Sequence, residues 1–130
     1  MYFQNTFVTI DNSQAPVMIT TFADYDPSRA EFEAYLKAYE SLCEKSDPFV
    51  LIFDASKSKN LRAELRVRQS KWLDQNRKLL QGKMKEGIFI IPSTFVRIIL
   101  NGIFLMNKPP YTYTIVGNME EAIKLAKTKI

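Results

Sequence analysis

The stretch PFVLIFDAS, residues 48–56, decides the fold. Phe49 to Phe53 form an unbroken apolar run that closes on Asp54. A strand with one face in water alternates apolar and polar residues, whereas a run apolar on both sides suits a central parallel strand covered on both faces. GIFIIPS, 87–93, is a second run of this kind, and Pro92 ends it. Parallel neighbours need a crossover, and residues 61–84 supply the longest helix pattern, with Leu61, Leu65, Trp72, Leu80 and Met84 among its apolar anchors.

Upstream, NTFVTI (5–10) and PVMITTF (16–22) read as short strands around the turn residues DNSQA. Residues 24–47 then form a helix with a stripe of Phe32, Leu36, Tyr39 and Cys43. Ser28 with Glu31 makes a capping box at its start, and Asp26 with Pro27 at the first helical position is an equally good reading. Downstream, Ser93 caps a helix over about 94–107 that Lys108-Pro109-Pro110 ends. YTYTIVG, 111–117, is the last strand. Asn118 with Glu121 caps a final helix. The predicted order is β-β-α-β-α-β-α-β-α in a single domain over 1–130, an α/β fold with a mixed, mostly parallel sheet and covering helices.

Bulk composition agrees with a packed domain. Apolar residues at 46% supply a core, and charged residues at 25% are too few for disorder. One cysteine, Cys43, excludes an internal disulfide and fits a reducing compartment. The opening MYFQNTFVTI lacks the pattern of a secretion signal, so a cytoplasmic location is expected. Its YFQ resembles the end of a protease-tag site, so part of residues 1–4 is expected to be foreign.

The residue inventory removes much chemistry. With no histidine, neither a Ser-His-Asp nor a Cys-His catalytic arrangement can form, and the His-containing zinc sites are lost. The four glycines, at 82, 87, 102 and 117, make no phosphate-binding spacing. No catalytic residue, metal or cofactor is expected. Asp54, at the end of the buried strand, is better read as ordering its own loop than as a general base. Cys43 lies among apolar helical positions and reads as core.

Three features carry signal. The loop DASKSKN places Ser56 and Ser58 beside Lys57 and Lys59, ahead of a helix start that favours anions, which makes both serines candidate phosphorylation sites. The long helix holds Arg62, Arg66, Arg68, Lys71, Arg77, Lys78, Lys83 and Lys85 against Glu64 and Asp74, which exceeds the net charge of +4. Arg68, Lys71 and Lys78 can share a side, but no interleaved aromatics accompany them, so a nucleic acid is an unlikely partner and a solvated face the better reading. The third feature is the helix beginning at Ser93. Arg97, Asn101 and Lys108 occupy a narrow polar side, and Phe95, Val96, Ile98, Ile99, Leu100, Ile103, Leu105 and Met106 fill most of the rest. That exceeds what one sheet covers, yet the helix is too short to span a bilayer, so the protein is not expected to be transmembrane. A homodimer through Phe95, Ile99, Ile103 and Met106 accounts for the excess, and packing on the C-terminal helix accounts for it nearly as well.

The element order, and the central strand running into an Asp-plus-serine loop before a helix, resemble the SpoIIAA-like fold of STAS domains. Within that class, Arg66-Val-Arg-Gln-Ser-Lys-Trp72-Leu-Asp-Gln-Asn76-Arg77, Phe89-Ile-Ile-Pro92-Ser93, Arg97 and Pro109-Pro110 resemble a group of small bacterial proteins. The resemblance implies a mixed sheet with the first strand at an edge, and a non-catalytic regulatory or protein-interaction role. Some STAS domains are switched by phosphorylation of a serine at the start of the helix after the central strand. Ser56 and Ser58 are the nearest counterparts, although KSKNLRAEL replaces the usual glycine-containing turn. SEC14-like relatives carry lipids, so an apolar small molecule near residues 95–106 is the alternative. Asp54, Arg66, Gln69, Trp72, Asn76, Arg77, Ser93 and Arg97 are expected to form a polar network or to line a pocket.

Overall fold

A computed structural model describes all of residues 1–130. Strands β1 (Phe3–Gln4), β2 (Val8–Asp11), β3 (Val17–Phe22), β4 (Phe49–Asp54), β5 (Met84–Ile90) and β6 (Tyr113–Val116) form one sheet in sequence order. The β1–β2 and β2–β3 pairs are antiparallel, and the three pairs from β3 to β6 are parallel. This is the expected mixed, mostly parallel sheet, but its edge is the short β1, which is not among the expected strands, and the first expected strand, β2, lies second. The helices are α1 (Arg29–Lys45), α2 (Ala63–Gln75), α3 (Arg77–Lys83), α4 (Thr94–Met106) and α5 (Met119–Lys127).

Strands added one after another in the same direction, each through a right-handed crossover, put every crossover helix on the same face. The interior follows that rule. Phe49, Leu51 and Phe53 of β4 join a large core with residues of α1, α2, α3 and α4, while Val50 and Ile52 join a smaller one with Ala122 and Ala126 of α5. The terminal helix α5 is not a crossover, so it is free to cover the second face. All of β4 from Phe49 to Phe53 is buried.

Some boundaries differ from the expected ones. The helix expected over 61–84 is two helices, broken at Asn76, whose Nδ2 bonds back to the Trp72 carbonyl at 3.0 Å. Met84 opens β5 rather than closing a helix, so the second buried strand begins three residues earlier than its apolar run suggests. Glu86 hides this start. It is buried, but accepts the Thr112 hydroxyl at 2.7 Å and lies 3.9 Å from the Lys129 ammonium. Residues 2–4 pack onto the domain: Phe3 and Gln4 pair with Ile10 and Thr9, and the Tyr2 and Ser41 hydroxyls bond at 2.6 Å. Of the two starts for α1, the capping box forms, with Glu31 N–H donating to Ser28 Oγ and Ser28 N–H to Glu31 Oε1.

On the inner side of α1, burial pushes the Cys43 thiol up to about 12 and raises the Tyr35 and Tyr39 phenols above their ordinary range. A group whose folded pKa is raised contributes stability that is complete below its unfolded pKa and lost as pH climbs towards the folded one. Stability to urea should therefore decline above about pH 8.5 to 9, where an unfolded thiol ionises, and fall further past about pH 10, where unfolded phenols do. A thiol reagent at about pH 8 should modify Cys43 fully in denaturant and, in the native protein, no faster than the protein opens.

Candidate functional site

Phe22, Phe53 and Phe89 stand side by side on β3, β4 and β5. Their rings are near-parallel, with centroids 6.5 Å and 4.5 Å apart. Each strand presents alternate residues to one face, so Phe89 in register with Phe53, and Phe22 two residues beyond Phe53's partner Thr20, build this row. Tyr39 stacks on Phe53 at 6.0 Å, and Trp72 of α2 meets Tyr39 edge-on at 5.3 Å. Trp72 thus locks α2 to α1.

The row is the floor of a cavity of about 140 Å³. Phe32 and Tyr35 of α1 wall one side, and Leu73 and Gln69 of α2 another. Val96, Ile99, Leu100, Ile103 and Phe104 of α4 form a third wall, with Tyr111 beside them. Ala55, Ser58, Asn60 and Leu61 come from the loop after β4. The cavity therefore lies at the carboxyl ends of the parallel strands, where open α/β sheets usually hold ligands. Of 19 lining residues, 16 are hydrophobic and none is charged. That composition suits an apolar body and supplies no group for acid–base chemistry. No cluster of His, Cys, Asp or Glu side chains is arranged to hold a metal ion.

Tyr111 is placed by Gly87. A Cβ at that glycine would come within 2.7 Å of the Tyr111 ring, so only a residue without a side chain lets the ring lie there. Burial raises the Tyr35 and Tyr111 phenols above their ordinary range, and the nearby Tyr35 adds to the rise at Tyr111.

The residues expected to form one polar network are dispersed. Trp72 Nε1 donates to Glu40 Oε1 at 2.7 Å, and Asn76 reaches the same oxygen at 3.4 Å, so Glu40 is the hub that ties both to α1. Arg77 donates to the Lys108 carbonyl. Arg66 and Arg97 each donate through Nε to a backbone carbonyl, of Leu61 and Ile91 respectively. Ser93 caps α4, accepting the Val96 N–H at 3.3 Å. Asp54 accepts the Ser56 N–H at 3.0 Å and orders its own loop. Of the eight, only Gln69 lines the cavity.

Two further expectations need correction. Ile99 and Ile103 are not an outer surface: both are buried and line the cavity, and α4 packs on α2 on the face opposite α5. The outward apolar residues are Phe95, Ile98, Leu105 and Met106, which are 56%, 62%, 87% and 48% exposed. The second concerns the serines. Ser56 and Ser58 do not sit at the start of α2, which begins only at Ala63 behind Arg62, and Ser58 N–H closes a turn on the Ala55 carbonyl. The basic strip is also interrupted, because Arg68 is paired with Glu33, and Arg62 with Asp26 and Glu64. No helix is long and apolar enough to cross a membrane.

Sequence reasoning did not find Tyr35, Tyr111 or the phenylalanine row. The one signal available was indirect: Phe22, Phe53 and Phe89 each stand at or near the carboxyl end of a predicted strand.

No family model matches the chain, and no curated protein matches it. Two solved structures share its architecture. One is a protein of the DUF3478 family with a SpoIIAA-like fold from Shewanella loihica PV-4, 14% identical, covering 97% of this chain and 98% of that one with a TM-score of 0.64. The other is an anti-sigma factor antagonist from Mycobacterium paratuberculosis, also 14% identical, covering 92% of each chain with a TM-score of 0.58. At that identity the likeness is one of fold, and the chain has the SpoIIAA-like, STAS-like α/β fold.

Proposed function

We propose that this protein is a non-catalytic binding module whose ligand is a small, mainly apolar molecule held in the cavity over the phenylalanine row. The cavity carries the reading. A pocket with this lining gains affinity by taking apolar surface out of water, at roughly 25 cal/mol per Å². Its lining hydroxyls have no general base beside them, and it has no charged group with which to transform what it binds. Sequence reasoning alone favours an interaction module over a carrier or sensor, and the cavity reverses that order.

Native mass spectrometry of protein purified gently from its own cells should show a noncovalent adduct that is lost on denaturation. Leu100→Trp, which fills the cavity from α4, should abolish the adduct while shifting Tm by no more than a few degrees, since the new ring enters open space. If that variant misfolds, the smaller Ala55→Leu substitution from the opposite wall makes the same test. An adduct kept by a folded, filled variant would place the ligand elsewhere.

A second reading rests on the outer side of α4. Phe95, Ile98, Leu105 and Met106 follow one another at helical spacing on a single stripe, and Gly102 between them has nothing within 4 Å of where a Cβ would lie. Such a stripe suits close pairing with a second copy of the helix, and so a homodimer. The anti-sigma factor antagonist among the similar folds supports a protein-interaction role of this general kind. In sedimentation experiments the wild type should dimerise with rising concentration and Leu105→Glu should stay monomeric. A wild type that remains monomeric at high concentration would remove this reading. Phosphorylation at Ser56 or Ser58 would act on the loop at the cavity wall, since Ser58 is one of its lining residues.

A further inference from the structure

We infer that the ligand is electrically neutral: an apolar body bearing one uncharged hydrogen-bonding group, such as a hydroxyl or carbonyl, directed at Tyr35 and Tyr111. This rests on the cavity being the binding site. Its volume, about 140 Å³, is close to that of engineered cavities of roughly 150 Å³ that take up a single benzene ring, so the body is a ring or a chain of comparable bulk.

The lining argues neutrality. Three charged side chains on or beside the wall-forming elements are turned to backbone partners, Arg97 to the Ile91 carbonyl, Arg66 to the Leu61 carbonyl and Asp54 to the Ser56 N–H, and the loop's Lys57 and Lys59 are exposed and absent from the lining. None of the three lines the cavity. An anionic head drawn inside would lose its water and gain no cation, a far greater cost than for a neutral group. The hydrogen-bonding side is equally specific. The Tyr35 and Tyr111 hydroxyls make no hydrogen bond within the protein, yet neither is sealed away from open space, because Thr20 Oγ1 is the only fully enclosed side-chain polar atom without a partner. Burial keeps both phenols protonated, so each offers one donor and an acceptor that the ligand can meet.

1-Octanol and octanoate share a chain and differ at the head, which makes them the probes. Isothermal titration of the full chain at neutral pH should show saturable one-site binding of octanol, with octanoate weaker by about a hundredfold or more. Octanoate binding as tightly as octanol would overturn neutrality and leave the cavity as the binding site. Failure of both to bind would remove the binding-site reading itself, and this inference with it. The double variant Tyr35→Phe/Tyr111→Phe should weaken octanol by about five- to tenfold and leave toluene binding unchanged. An unchanged octanol affinity in that variant would overturn the role of the two hydroxyls.

Discussion

The structure depends on β4 being buried from both sides. Phe49, Leu51 and Phe53 serve one core, while Val50 and Ile52 serve the other. A single-residue slip in register would exchange the two sets and put bulky rings against the small Ala122 and Ala126 of α5. The demands of the two faces are unequal. One must fill the space beneath four helices and is rich in aromatics, and the other closes against one short helix whose buried residues are alanines. That asymmetry fixes the direction in which the phenylalanine row points, and therefore which face can hold a cavity.

The row also explains why the cavity stays open. Flat rings stacked along the sheet present their broad faces to one another, and Phe53 and Phe89 lie within 8° of parallel. Helices α1, α2 and α4 meet this floor near the strand ends, where the loop after β4 must rise to reach α2. Close packing inside the core requires side chains to interdigitate. At the strand ends the wall residues instead meet around a gap, and the extended approach to α2 through Asn60 and Leu61 supplies no helix to fill it.

Architecture was legible in the sequence because it rests on periodicity. The two apolar runs, the capping residues Ser28, Ser93 and Asn118, and the Lys108-Pro109-Pro110 stop all act locally, and each lies where its local chemistry puts it. What escaped depends on partners remote in sequence. Asn76 breaks the long helix in company with Glu40, 36 residues away. Glu86 reads as a surface residue until Thr112 and Lys129 are brought beside it. The helical wheel of α4 correctly showed too much apolar surface for one sheet, but a wheel has no inside. It could not tell that Ile99 and Ile103 face a cavity while Ile98 and Leu105 face outward. The expected polar network failed for a related reason, since long polar side chains find the nearest carbonyl, and for Arg66, Arg77 and Arg97 that carbonyl lies on the local backbone or a neighbouring loop.

Helix α4 finally joins the two functional readings. Its inner side forms a cavity wall, and its outer side is an uncovered apolar stripe. The same thirteen residues, Thr94–Met106, serve both. It packs mainly on α2, and its end is tied there by Asn107, which donates to the Ser70 hydroxyl at 2.7 Å. A rigid helix cannot shift on one side alone, because a displacement that makes room for a ligand also moves the outer stripe. A ligand changes affinity for a partner only if it binds the two positions of such an element unequally. The two sides of α4 are chemically alike, and Gly102 leaves it free of bulk at its middle. The proposed binding of an apolar molecule and the proposed association through α4 would both act on this one helix, so they are compatible rather than competing readings.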